Sequence, residues 1–400
     1  MAGKKEKAKA RKAAAAATKT APSSTSSKKS INQIFFPPGY GSTQTQSFKY
    51  FEIKAIEGKG LGAFATRPIK AFTTIYHEQS IMTFYKDRSQ VSENDLIAAY
   101  EKLSPQDKYT FDTMRNCHGM CGCKGGLFFA NTFGLRGGGV GCFPNCSRLN
   151  HSCQANCMID THEEYDEKKI TVLKDLKPGD ELTFHYVLNT QFMTNEERQE
   201  LLTSEDFGFV SCRCQVCTLP PADKFISDSR RQIMRHLLYW IEGADLNEVP
   251  PASLGPHPGD LPDMVLASHI LLFCHLAEAE GVVVGSRLGT SFAKLIHFVI
   301  FRAAMKRVRQ LPERIWNNVQ TWWKRAQFYG TGGSVLDYRD IDLFNTVEDF
   351  ISCVRDDGEI NWKEFQNPLR EVTENSSWSE LCLPLRSAQI KVSNLMRLFG

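Results

Sequence analysis

Residues 147–157 read SRLNHSCQANC, and this stretch limits the folds open to the chain more than any other. It crowds Asn150, His151, Cys153, Asn156 and Cys157 into one short run. Buried amides and imidazoles must find hydrogen-bond partners. Closely spaced thiols are either core residues or metal ligands. So dense a polar run is poor material for a plain apolar core. The fold must bring other segments, or a ligand, to meet it.

The rest of the chain has the means to do so. Its 400 residues are 42% apolar and 23% charged, an ordinary globular balance with length for two or three domains. The net charge of +3 hides an asymmetry. Residues 1–30 carry nine Lys/Arg against one Glu, a surplus of +8, so the other 370 residues sum to −5. A mildly acidic body behind a basic tail argues against a broad nucleic-acid-binding surface on the body, though not against an acidic groove for a cationic substrate. Thirteen cysteines, odd in number and irregular in spacing, argue against a disulfide framework. Reduced thiols and a metal site in a nuclear or cytoplasmic protein fit better. No uninterrupted apolar run nears the roughly 18 residues of a membrane span. The best candidate, Ile270 to Val284, is broken by His275, Glu278 and Glu280. The opening MAGKKEKAKARKAAAAATKT lacks an apolar stretch, so a signal peptide is not expected.

Composition divides the chain. Residues 1–47 read as a disordered basic tail and linker. From Phe48 the texture turns to β. SFKYFEIKAI alternates, EGKG makes a turn, and LGAFATRPIKAFTTIYHEQSIM supplies short runs broken by Pro68. Ser92 and Ser104–Pro105 are helix starts. The Gly-rich stretch 134–146 is expected to be loop. Three further β-type runs follow, NCMIDTH, KKITVLKDL and DELTFHYV, separated by EEYDE and KPGD. After Cys217, TLPPADK reads as a linker, and the apolar spacing from there on is helical. DDGEINWKEF imitates half of a calcium loop. Its first and third positions would be Cys353 and Arg355, which disqualifies it, so it reads as a helix–turn–helix joint. The tryptophans of NNVQTWWKRAQFYG read as core.

Four segments need one another: KGLGAF at 59–64, FFANTFGL around Asn131, NHSCQANC at 150–157 and GDELTFHY ending at Tyr186. Just beyond, FVSCRCQVC carries C-x-C-x-x-C, three thiols in one tight turn. In this order the segments resemble the SET-domain lysine methyltransferases with their cysteine-rich post-SET segment. The resemblance covers roughly residues 48–217. The Asn131 context and the helical second half are most similar to the SET–MYND branch and its fungal relatives, without the MYND zinc finger.

The resemblance implies an α+β fold. A β-rich SET domain of short strands with a knot-like core spans 48–189, a post-SET zinc segment 190–218 and an all-α domain 219–400. It implies methyl transfer from S-adenosylmethionine (SAM) to the ε-amine of a protein lysine, histone or non-histone. Free lysine has a pKa near ~10.4, so such a site must disfavour the ammonium and align the neutral amine. By resemblance Tyr186 is the catalytic tyrosine, which orients the amine because a phenol is a weak base at neutral pH. The cofactor would be held by Lys59, Gly60, Leu61, Asn131, Asn150, His151, Tyr186 and Phe209, with Phe207 an alternative to Phe209. Structural zinc would be held by Cys153, Cys212, Cys214 and Cys217. The family's usual proline before the second Asn is Ala155 here. A second metal cluster of Cys117, His118, Cys121, Cys123, Cys142 and Cys146 fits no familiar spacing. The expected partner is a protein presenting a lysine. No membrane contact is expected, nor nucleic-acid binding beyond weak contact through the tail. The expected compartment is nucleus or cytoplasm. The competing reading is an inactive SET-fold module that binds or scaffolds a partner. A zinc-dependent hydrolase is a poor third reading, because four thiolates close the coordination sphere and leave no position for water.

Overall fold

Phe51 and Ile53 face inward while Glu52 and Lys54 stay half-buried, and this alternation makes residues 51–56 a one-sided strand. The computed structural model describes residues 46–56, 60–115, 123–135, 138–161, 167–187, 189–203, 210–242, 261–282, 286–330 and 338–365. Strand β2 (Phe51–Ile56) pairs antiparallel with β3 (Gly60–Ala65) from Phe51↔Ala65 to Ile56↔Gly60. Gly60 has φ +85°, a conformation that only glycine adopts without strain. Strand β1 (Gln46–Ser47) adds to the outer edge of β2, so pairing begins just inside the segment expected to be tail. On the other side of β3 lies β11 (Glu181–Phe184), antiparallel to it, and beyond that β8 (Asn150–His151), parallel to β11.

Two three-stranded sheets complete the β region. One has the order β4 (Thr74–Gln79), β10 (Glu167–Val172), β9 (Cys157–Thr161). The other has the order β5 (Met82–Phe84), β7 (Val140–Cys142), β6 (Thr132–Gly134). The last corrects the sequence reading, which made 134–146 loop. Glycine there serves close packing: a Cβ on Gly141 would lie 2.7 Å from Ser80 Oγ and 2.9 Å from the Phe143 ring. Helices α1 (Glu93–Glu101) and α2 (Pro105–Asp112) start where expected, capped by Ser92 and Ser104. A third, α3 (Lys124–Ala130), packs beside them on Phe111 and Phe128. The main β core gathers Phe51, Ile53, Phe143, Leu149, Ile170 and Leu182.

The helical region comprises α4 (Asn195–Leu202), α5 (Pro221–Glu242), α6 (Asp263–Glu280), α7 (Ser286–Met305), α8 (Glu313–Gly330) and α9 (Tyr338–Ser352). TLPPADK is only partly a linker, because α5 begins at Pro221. A first-turn proline forfeits no helical hydrogen bond, so it opens the helix rather than preventing it. α6 ends at Gly281 with φ +64°. The span Arg287–Met305 is long and apolar enough to cross a membrane by composition, with mean hydropathy 1.3. Here 61% of it is buried, as in a core helix. Trp322 and Trp323 pack partly against this core, as expected, and Trp316 just before that stretch is buried in it. The 353–360 segment is a turn, not a helix–turn–helix joint. Val354 bridges Ile360, Gln310 bridges Glu359, and Gly358 has φ +86°.

This core holds two buried histidines. Neither ring nitrogen of His269 has a hydrogen-bond partner, and its ring lies 5.6 Å from that of Trp240. Burial pushes His269 and His297 each down to about 4. The unfolded chain takes up these protons near 6.5, the folded chain only near 4. Their contribution to stability is therefore complete above pH 6.5 and lost as the pH falls toward 4. Denaturant unfolding of His269→Leu should show less acid destabilisation than the unsubstituted chain across that window, by up to about 3 kcal/mol. Parallel pH profiles would contradict the assignment.

Candidate functional site

Strand β11 collects the site. On one edge it pairs Glu181 with Phe64 and Leu182 with Ala63, and on the other Thr183 with Asn150 and Phe184 with His151. Three of the four segments singled out in the sequence thus meet on a single strand of GDELTFHY. Side chains lock the junction. Asn150 Nδ2 donates to the Leu61 carbonyl at 3.0 Å and to Glu181 Oε1 at 2.8 Å. Both neighbours are acceptors, which fixes the orientation of the amide and leaves Oδ1 as an acceptor for something else. A Cβ on Gly62 would stand 3.0 Å from Asn150 Nδ2 and collide with the Ile56 side chain. Any larger residue there would have to displace the Ile56 side chain and press on the Asn150 amide.

Each polar residue of NHSCQAN has a task. The Ser152 N–H donates to the Phe184 carbonyl at 3.2 Å. Gln154 Nε2 reaches the Glu280 carbonyl at the end of α6, 2.7 Å away. Asn156 Nδ2 donates to the Glu181 carbonyl at 2.8 Å, while its Oδ1 accepts from the Thr183 N–H at 2.8 Å. One amide side chain thus does for β11 what another strand would do. Upstream, the buried carboxylate of Glu78 on β4 accepts the Asn145 and Cys146 N–H groups at 2.8 and 2.7 Å. Burial holds its pKa above the usual carboxylate range, against the opposing effect of those donors.

His151 links two halves of the site. Burial pushes it down to about 4, so the ring is neutral at pH 7. Its Nδ1 accepts the Tyr186 N–H at 3.1 Å, which puts the ring proton on Nε2, 3.3 Å from Cys153 Sγ. His185 is pushed down to about 3 by burial, then by His151, and its Nδ1 lies 3.1 Å from Thr190 Oγ1. The Tyr186 ring sits 5.4 Å from His151 and 5.0 Å from Phe184, and its hydroxyl donates to the Leu149 carbonyl at 3.1 Å. Phe184 in turn packs at a tilt against Phe133, and Phe133 edge-to-face against Phe143. The phenol is held by a chain of rings rooted in the β core.

Cys153, Cys212, Cys214 and Cys217 converge, with all four sulfurs within 4.8 Å of one another. Cys153 Sγ lies 3.9 Å from Cys212 Sγ and 3.6 Å from Cys217 Sγ. A tetrahedral zinc with Zn–S of about 2.3 Å separates its sulfurs by about 3.8 Å, so the four thiols suit that ion. It is the one such group among the described residues. Cys142 and Cys146 belong to the core instead, where burial raises their thiol pKa values. Cys123 is disulfide-bonded. Cys117, His118 and Cys121 lie outside the described residues, as do Lys59, Phe207 and Phe209.

Asn131 is placed differently from the rest. It caps α3, and its Nδ2 donates to the carbonyls of Leu127 and Arg115 at 2.7 and 2.8 Å. Both donors are thus engaged by main chain, and only Oδ1 is left to face a ligand. Sequence reasoning missed Glu78, Glu181, Arg198 and Arg231. Glu181 stood inside a quoted motif, but nothing in the sequence marked the other three, which look like ordinary charges on a strand or helix.

A SET domain family model matches residues 60–187. The human protein named histone-lysine N-methyltransferase SMYD3 is 31% identical over 99 residues, 25% of this chain and 22% of that protein. Histone-lysine N-methyltransferase SET5 of Scheffersomyces stipitis is 33% identical over 92 residues, 23% of this chain and 18% of that one. A SET and MYND domain-containing protein of Dictyostelium discoideum is 32% identical over 79 residues, 20% of this chain and 22% of that one. The matched stretch therefore spans about a fifth of each relative's length. The matched segment is the one in which β3, β8 and β11 meet, so residues 60–187 carry a SET domain, similar to that region of proteins that include a SET and MYND domain-containing one.

Proposed function

We propose that this protein transfers a methyl group from SAM to the ε-amine of a lysine in a protein substrate. The observation that carries the reading is the convergence at β11 of Asn150 and Leu61 from its two neighbouring strands with Tyr186, two residues past its end, whose hydroxyl reaches the Leu149 carbonyl. The residues present fit the cofactor. Asn150 Oδ1 and Asn131 Oδ1 are acceptors for an ammonium group, and the glycines at 60 and 62 let main chain approach a ligand closely. The His151 ring is already engaged by Tyr186 and Cys153, so any contact it makes with the cofactor falls to its main chain. SAM supplies an electrophilic methyl on a sulfonium.

The chain's own contribution is alignment. With its proton committed to Leu149, the Tyr186 hydroxyl oxygen presents lone pairs that accept an N–H of the incoming amine. Rings at 133, 143 and 184 keep that oxygen in place and limit water nearby. Two relatives carry "histone-lysine" in their names, which makes histones the first substrates to try. The nucleus or the cytoplasm is the compartment this reading assigns, where histones occur together with free thiols such as those of the four-cysteine group.

Two outcomes are expected. With radiolabelled methyl donor and fractionated cell extract, the unsubstituted protein labels lysine. Tyr186→Phe lowers the rate at least about 100-fold while costing only about 1 kcal/mol of stability, one hydrogen bond's worth. Absence of lysine labelling in every fraction, with the Phe variant indistinguishable, would favour a binding module. Elemental analysis should find one zinc per chain, and Cys214→Ser should release it and lower Tm by several degrees. A metal-free protein that melts as the unsubstituted chain does would remove zinc from the reading.

A further inference from the structure

We propose that Arg198 and Arg231 are positioning residues for the four-cysteine metal centre: they offset its charge and join it to the helical domain. The inference rests on the zinc reading above. Four thiolates around one divalent ion leave two units of negative charge in a site where Cys153, Cys212 and Cys217 are buried. Such a charge is costly to bury unless it is met by hydrogen-bond donors and opposite charge.

Two arginines, both with fully buried side chains, stand beside it. Arg198, on α4, places Nη2 3.9 Å from Cys217 Sγ. Its Nη1 donates to the Met193 carbonyl and lies 3.6 Å from Asp228 Oδ1, while its Nε is buried with no partner. A guanidinium left one bond short in a dry site is not there for its hydrogen bonds alone. Its position against the sulfurs accounts for it. Arg231, on α5, sends Nη1 and Nη2 to the carbonyl of Cys153 at 3.3 Å, and Nη1 also to the Thr190 carbonyl at 3.3 Å. Its Nε donates to Glu280 Oε1 at 3.0 Å, and that oxygen also accepts from Ser227 Oγ. Arg230 Nη1 lies 3.7 Å from the other Glu280 oxygen.

The two arginines therefore act differently. Arg198 donates to a ligand sulfur directly. Arg231 holds the main chain of a ligand residue and ties it to the end of α6, where Gln154 also attaches to the Glu280 carbonyl. His151 adds an N–H toward a second ligand sulfur, Cys153 Sγ. Metal loading and the seating of α5 and α6 on the SET domain are one event. Emptying the centre takes from Arg198 the charged sulfur it faces, with Asp228 3.6 Å away as its remaining counter-charge, and frees the Cys153 main chain that Arg231 holds, so the joint loosens.

The test uses the full chain. Zinc is first counted by elemental analysis, then its release into a chromogenic chelator is timed. Arg198→Met keeps length and loses charge, and it should release zinc at least tenfold faster, with Arg198→Lys restoring most of the loss. Arg231→Met should speed release and also raise amide hydrogen exchange in 221–242 and 263–280. If the unsubstituted chain holds no zinc, the metal reading itself fails. If it holds zinc and both methionine variants release it at the unsubstituted rate, the arginine proposal fails and the metal reading stands. Should a methionine variant not fold, chelator treatment of the unsubstituted chain decides. Raised exchange in those two helices supports the joint, and unchanged exchange overturns it.

Discussion

Everything at the candidate site depends on β11 being paired on both edges. Its antiparallel partner β3 is drawn from residues 60–65 and its parallel partner β8 from residues 150–151. The parallel contact is two residues long, too short to hold by main-chain bonds alone. Asn156 completes it, satisfying the main chain of Glu181 and Thr183 with one side-chain amide. Asn150 fastens the same strand to β3 through Leu61 and Glu181. Because these groups are at least partly buried, each lost bond leaves a poorly hydrated donor or acceptor, and that penalty favours one arrangement of the junction.

From that junction the polar network runs outward. Tyr186 is gripped by the Leu149 carbonyl and by His151, and His151 touches Cys153. Cys153 belongs to the thiol cluster, and its carbonyl is held by Arg231 of the helical domain. A continuous path of hydrogen bonds thus leads from the phenol to α5 and α6. The aromatic contacts of Phe72 with Phe328 and Tyr329 fasten the two regions at a second place, with Phe72 itself at φ +62°. A non-glycine residue in that conformation is strained, and packing against the α8 rings holds it there.

Much of this was legible beforehand. The helix starts at Ser92 and Ser104 were readable because capping is a local interaction. The alternation of FEIKAI showed a strand because burial on one face leaves a period of two. The four cysteines were legible through spacing and resemblance. Residues 134–146 were misread because glycine marks both flexible loops and tightly packed strands, and only the neighbours of Gly141 tell the two apart. The role of Asn131 in capping α3 was hidden for a similar reason: an amide's partners are not written beside it in the chain.

The sequence by itself determined which chemistry is present. It contained the phenol, the amides, the thiols at metal spacing, and the order of β-rich and helical regions, all of which follow from residue type and short-range pattern. Only the tertiary structure decided what those groups do to one another. Glu78, Arg198 and Arg231 are charged residues that surface statistics would place in water, yet all are buried. Their burial is stable only because main-chain donors, sulfurs and carbonyls from distant segments meet them there. Such compensation is long-range in the chain and has no local signature.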